Sequence, residues 1–209
     1  MNGSGRLSGE RMRFTRRAGE AGHLLVELLA TLAAVMVLGG MAVPHLAGQR
    51  DAINAASAAR HVGALTYEMR AESLREGRYA GLQFQTGDAG IRFASFVDGN
   101  RDGIRAADIA RGVDTQVTTW AYLGDNFPRV AFGIAAGVTD PESGAPLAGS
   151  PLKIGGSGIL SFGPDGTATS GTLYVRGPGE QQYAVRILGA TGRSRVLRFD
   201  FRRKTWATL

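Results

Sequence analysis

The chain has no cysteine, and only three histidines, His23, His45 and His61, stand among its 209 residues. No disulfide, thiolate zinc site, iron–sulfur cluster or cysteine nucleophile can form. All three histidines lie in the first third. A Ser-His-Asp triad or a His-rich metal site in the rest of the chain is therefore excluded. Charged residues make up 20%, below the usual ~25%. There is no internal repeat and no sustained heptad, which excludes solenoids and long coiled coils.

Glycine, in contrast, is plentiful, at 31 residues, about twice the usual ~7%. It shows no G-X-Y period, so collagen is excluded and many turns between short strands are expected. Hydrophobic residues at 44% suffice for a core, which excludes global disorder. The formal net charge is +6, but it is unevenly spread. Arg6, Arg11, Arg13, Arg16 and Arg17 outweigh Glu10 and Glu20 at the start. Arg193, Arg195, Arg198, Arg202, Arg203 and Lys204 outweigh Asp200 near the end. The chain between them is acidic on balance.

After the basic start, Leu24 to Val43 is apolar apart from Glu27, Thr31 and the glycines Gly39 and Gly40. About 20 such residues span a bilayer core as a helix. A cleaved secretory signal, a plain signal anchor and a leader cut on the cytoplasmic side all fit that outline. Glu27 discriminates, because a carboxylate within an apolar segment is costly and marks function. Cleavage after Gly22 would make Glu27 fifth in the mature chain. One helical turn would then bring its carboxylate near an α-amino group, its own or a neighbour's.

Gly22-His23-Leu24-Leu25-Val26-Glu27-Leu28-Leu29, with Pro44 twenty-second in the mature chain, resembles the class III leader of type IV pilins and type II secretion pseudopilins. The family more often carries Phe or Met where His23 stands. A start at Met12 would give a leader of the more usual length than one at Met1. The resemblance implies cleavage by prepilin peptidase after Gly22, N-methylation of His23, and assembly through Glu27 and Pro44. The partners would be other pilins or pseudopilins, prepilin peptidase and the inner membrane. The basic leader would stay cytoplasmic, leaving the C-terminal part periplasmic. The domains expected are a leader over 1–22, a transmembrane or filament-core helix over 23–47, its amphipathic continuation over 48–77, and a β-rich globular domain over 78–209.

Within the continuation, Ala58, Val62, Leu65 and Met69 form an apolar helical stripe, with Arg50, Arg60, Arg70 and Arg75 off it. Gly39, Gly40 and Pro44 mark a weak point between residues 39 and 45. A tolerated kink or local melting on assembly both fit. His45 and His61 read as interfacial or surface residues.

Strands are predicted over 79–86, 90–97, 116–123, 129–134, 158–162, 172–177, 182–188 and 195–201. Leu197, Phe199 and Phe201 alternate with Arg198, Asp200 and Arg202, and Tyr183, Val185 and Ile187 with Gln182 and Arg186. Asp165-Gly166 and Gly189 to Gly192 supply hairpin turns, and residues 137–151 read as a loop. The fold class is α+β: a long N-terminal helix packed on small antiparallel sheets. The order of elements, the segment Phe96 to Gly103 and the late Gly192-Arg193-Ser194-Arg195 resemble the GspH/FimT-type minor pseudopilins. That resemblance implies two small antiparallel sheets on the helix and a place at the tip or initiation complex of a filament.

Two constellations carry possible chemistry. Asp98, Asn100 and Asp102 followed by Gly103 mimic the first half of a calcium loop. The closing acid is displaced, however, because Ile109 stands where it should and Asp108 is one short. An ordinary Asx-rich loop fits the same residues. In Gly192-Arg193-Ser194-Arg195 the two arginines share a face of a strand and suit phosphate. A solvated basic edge, which discourages edge-to-edge pairing, is the other reading. FimT-type members that act in natural transformation carry a Gly-Arg-x-Arg motif that contacts DNA. By that resemblance Gly192, Arg193 and Arg195 would hold DNA. Gly155-Gly156-Ser157-Gly158 lacks the lysine of a P-loop and reads as a turn. Trp120, Trp206 and Tyr122 read as core. No acid pair suggests catalysis, and no cofactor is expected.

Overall fold

Residue Gly77, with φ of 63°, stops the longest helix of the chain. This helix, α1, runs from Ala18 to Glu76 in the computed structural model, which describes residues 18–209, with side chains from residue 23 onward apart from 39–47. A glycine in the left-handed region just past the last turn, with Arg75 inside that turn, is a favourable helix stop. The described residues form two units, one ending at Leu46 and the other running from Ala47 to Leu209. The second half of α1 therefore falls in the same unit as the sheets.

In the first unit every side chain from His23 to Leu38 is exposed, Glu27 included. The expected apolar run is helical. Among the described residues, no helix is long and apolar enough to cross a membrane. Residues 1–17, including Met1, Met12 and the leader arginines, lie outside the described residues. The Gly22–His23 bond lies inside α1, and α1 continues through Gly39, Gly40 and Pro44.

The second unit is α+β with two antiparallel sheets. Its elements after α1 are β1 (Ala80–Gly87), β2 (Gly90–Val97), α2 (Ala106–Arg111), β3 (Thr115–Gln116), β4 (Ala121–Tyr122), α3 (Leu123–Asn126) and β5 (Ala131–Phe132). Then come β6 (Leu152–Lys153), β7 (Ile159–Phe162), β8 (Gly171–Arg176), β9 (Gln182–Leu188), β10 (Arg193–Asp200) and β11 (Thr205–Thr208). The first sheet has the order β3-β2-β1-β7, with β4 also on β2. The second has the order β11-β10-β9-β8-β5, with β6 also on β8.

Ala55, Ala58, Ala59, Val62 and Met69 of α1 enter one core with Leu82, Leu160 and Phe162 of the first sheet and Leu173, Val175 and Val185 of the second. Small residues let helix and sheet approach closely. A Cβ on Gly177 would stand 2.6 Å from the Ala55 Cβ. The sheets also meet through aromatic edges: Phe132 of β5 packs at 89° against Phe84 and Phe93, at 5.5 and 6.0 Å. Such pairs add ~0.5–1.5 kcal/mol beyond area burial. Two satellite cores complete the layers. Phe96, Ile104 and Ile159 with Trp120 form one, and Val138 and Phe199 with Trp206 the other.

Several expectations need correcting. Residues 116–123 are not one strand: they split into β3, β4 and the start of α3. Asp165-Gly166 does close a short hairpin, in which Phe162 bridges Ala168 and Gly163 N–H donates to Thr167 O at 2.8 Å, but its second arm ends before β8, which pairs with β9 in the other sheet. Leu65 is half-buried, and Thr66, at the next position, takes the fully buried place. Phe201 falls in a turn beyond β10.

Candidate functional site

Strands β9 and β10 pair with Arg195 opposite Arg186, Val196 opposite Val185 and Arg193 opposite Leu188. Period-two alternation sends these residues to opposite faces. Val196 and Val185 join the core under α1. Arg186, Arg193 and Arg195 share the outer face. Like charges directly opposite each other in a sheet are destabilising. Their side chains border one cleft of about 500 Å³ with Leu188, Leu197 and Trp206. Arg193 and Arg195 are exposed, and among the described residues neither makes an ion pair.

Gly192 does not share that exposure. It is buried with φ of 60°, and its N–H donates to Leu188 O at 2.8 Å. A Cβ there would stand 2.8 Å from Gly166 O and 3.0 Å from the Arg70 side chain. Arg70 Nε in turn donates to Thr191 O at 3.0 Å. The glycine builds the turn, and the arginines it launches are the groups free to meet a ligand.

The acids around this face are already engaged. Asp200 accepts from the amides of Arg202 and Arg203, at 2.9 and 3.1 Å. The Arg203 amide leads in holding its carboxyl below the usual range. Asp140 accepts from the amides of Glu142 and Ser143 and from the Tyr174 hydroxyl. Burial opposes ionisation of Asp140, yet the Ser143 and Glu142 amides and the two hydroxyls keep its pKa below the usual value. Burial, then the neighbouring Asp140 charge, push the Tyr174 phenol well above its ordinary value. Glu142 pairs with Arg186. The expected loop over 137–151 supplies both acids.

The Asp98 loop is organised differently. Asp98 is fully buried. Its Oδ1 accepts from the Asn100 and Arg101 amides at 2.9 and 2.7 Å, and its Oδ2 from the Gly103 amide at 2.8 Å. Asp102 pairs with Arg105. Asp114, also buried, accepts from the Gly99 and Arg105 amides at 3.2 and 3.0 Å. Asp108 is held by Arg111. Among the described residues, no group of three or more His, Cys, Asp or Glu is placed to hold a metal. Asp98 and Asn100 serve the loop's own backbone, accepting from its amides, while the Asp102 carboxylate faces the Arg105 guanidinium. The structural importance of Asp108 and Asp114 had no sequence signal beyond their charge.

His61 packs on Phe127 at 5.5 Å and is half-buried. Trp206 donates its indole N–H to Thr139 O at 2.7 Å and packs on Phe199 at 5.1 Å. Trp120 packs on Phe96, with Arg92 lying 4.8 Å over its ring. Gly155 and Gly158 have positive φ, as turn residues do. No family model, curated protein or solved structure matches the chain.

Proposed function

We propose that this chain is a minor pseudopilin, a structural subunit of a type II secretion pseudopilus or of a type IV pilus tip or initiation complex. The observation that carries the reading is Glu27. It is an exposed carboxylate in a helical run whose other described side chains are largely apolar and equally exposed, four residues after His23. A surface of that kind needs an apolar partner, either lipid or neighbouring helices. An acid within it needs a cation. Cleavage after Gly22 would create that cation as the α-amino group of His23, available to the carboxylate of a neighbouring subunit. The segment from His23 to Pro44 would sit in the inner membrane before assembly and in the filament core afterwards. The sheet-bearing unit would lie in the periplasm. The role is assembly rather than catalysis, and it calls for no cofactor.

The experiment is Glu27→Ala in cells that carry the machinery. Cleavage is expected to proceed while incorporation into filaments falls at least ten-fold. Normal co-purification with filaments would refute the role of Glu27.

A second reading is favoured by the outer face of β9 and β10: a DNA-contacting minor pilin for DNA uptake, with Arg193 and Arg195 as its phosphate ligands. Both guanidinium groups are exposed, and both lack an acidic partner among the described residues. Gly192 shapes the turn that presents them. Arg193→Ala/Arg195→Ala tests this reading through the salt dependence of duplex binding.

A further inference from the structure

We propose that Arg186 is the third phosphate ligand of the β9–β10 face, and that Glu142 is a built-in competitor which a nucleic-acid backbone displaces from it. The inference rests on the reading of Arg193 and Arg195 as phosphate ligands. It adds a residue far from their motif in sequence and a reason for the acidic loop beside them.

The register supplies the first argument. Arg186 stands directly across from Arg195, and Arg193 lies two residues further along the same face of β10. Three guanidinium groups thus converge on one cleft. Residues two apart on a strand are separated by about 6.8 Å, far enough for each to meet its own phosphate of a nucleic-acid strand. Such a row suits a chain of phosphates better than a single carboxylate, and each guanidinium can bind a phosphate with two parallel N–H donors.

The Glu142 contact supplies the second. The Arg186 side chain is 31% exposed and the Glu142 side chain 74%. A pair so open to solvent contributes little to folding. It does set the charge of the face. With Glu142 in place, one of the three cations is neutralised while the other two have no acidic partner among the described residues. Asp140, two residues earlier, cannot take over, because it is engaged by the Ser143 and Glu142 amides and the Tyr174 hydroxyl. Displacing Glu142 therefore exposes the full cationic row and costs only a solvated ion pair.

The test uses the full chain in mild detergent and a labelled random-sequence DNA duplex, with anisotropy read across a salt series. Glu142→Gln is expected to tighten binding about three-fold, the scale of an exposed ion pair. Arg186→Ala is expected to weaken binding and to lower the salt slope by about 0.9, the loss of one phosphate contact. Arg186→Lys keeps the charge and should recover most of the slope. If Arg193→Ala/Arg195→Ala abolishes binding while Glu142→Gln and Arg186→Ala leave affinity and slope unchanged, this inference is overturned and the two-arginine reading stands. If the unaltered chain does not bind duplex even at low salt, both fall. Should polyglutamate of equal charge compete as well as DNA, the occupant is an acidic protein segment and the nucleic-acid assignment is overturned.

Discussion

Gly63 of α1 lies directly beneath Val196 of β10: a Cβ on Gly63 would come within 2.9 Å of the Val196 Cγ2. One turn on, Thr66 Oγ1 and Ser194 Oγ share a hydrogen bond of 2.8 Å. These two contacts fix the inner face of β10 against the helix, which leaves Arg193 and Arg195 on the outer face. Val196 is β-branched and cannot swing aside at low cost.

Gly63→Val is therefore expected to destabilise the chain by ~1–3 kcal/mol through overpacking. Gly63→Ala is milder, since the gain in helix propensity of about 1 kcal/mol offsets part of the strain. Val196→Ala should relieve the Gly63→Val variant in a double-mutant cycle. Thermal unfolding followed by circular dichroism measures all three. Equal melting temperatures for Gly63→Val and the unaltered chain would refute the contact.

The two halves of the Gly-Arg-Ser-Arg segment should separate experimentally. Gly192→Ala forces a Cβ into the left-handed region against Gly166 O. It should cost about 1–2 kcal/mol of stability. Arg193→Ala/Arg195→Ala removes exposed side chains and should stay within ~0.5 kcal/mol. Its effect belongs to ligand binding, where the slope of affinity against salt should fall by about 1.8 for two phosphate contacts. A double variant as unstable as Gly192→Ala would show that the arginines serve the fold.

Much of this architecture was legible in the chain. Strands β2 and β9 fall on the residues expected, because their ends are marked by glycine or turn residues. Strand β10 was harder. Its alternation read as Leu197 and Phe199 inward, yet both of its faces meet a core. Val196 packs under α1, while Phe199 packs with Trp206 on the other side. One polarity pattern cannot describe a strand with two cores. Strand β11 follows Arg202, Arg203 and Lys204, whose charge suggested only a basic tail. The six-residue α2 is set by the external acid Asp114 capping Arg105 N, a tertiary contact without local signature. Gln182 is the clearest omission. It is fully buried, its Oε1 accepts from Ala135 N at 2.7 Å and its Nε2 lies 3.1 Å from Gly133 O. In the sequence it looked like the polar member of an alternation. For the candidate site, the two motif arginines were visible, but Arg186 and Glu142 were not, because cross-strand register and loop placement bring them there.

The Asp98 loop gives a prediction about metal and stability together. Asp98→Ala would take from the amides of Asn100, Arg101 and Gly103 the one carboxylate that holds all three. The expected loss is about 2–3 kcal/mol. Added calcium should leave the melting temperature of the unaltered chain unchanged, since both Asp98 oxygens already face amides. A calcium-dependent rise would overturn this account of the loop.

Tyr174 predicts the alkaline limb of the stability curve. Its folded pKa is raised, by burial first and by Asp140 second. Its contribution is intact below the unfolded value of about 10 and declines as pH rises beyond it, by up to ~1.4 kcal/mol per pH unit. Asp140 has the opposite sign: its lowered pKa contributes stability that is lost as pH falls below the ordinary carboxyl range. Tyr174→Phe should flatten the loss above pH ~10 while costing about 1 kcal/mol at neutral pH for the missing hydroxyl contact. Denaturant midpoints measured across pH decide this, and an unchanged alkaline slope in the variant would contradict it.

The most direct test of the central claim is the intact mass of the chain recovered from cells that express a prepilin peptidase. The account predicts a polypeptide beginning at His23 with one added methyl group, and the uncut chain when Gly22 is replaced by a bulky residue. A chain that keeps residues 1–22, or is cut after residue 43 or beyond, would contradict it.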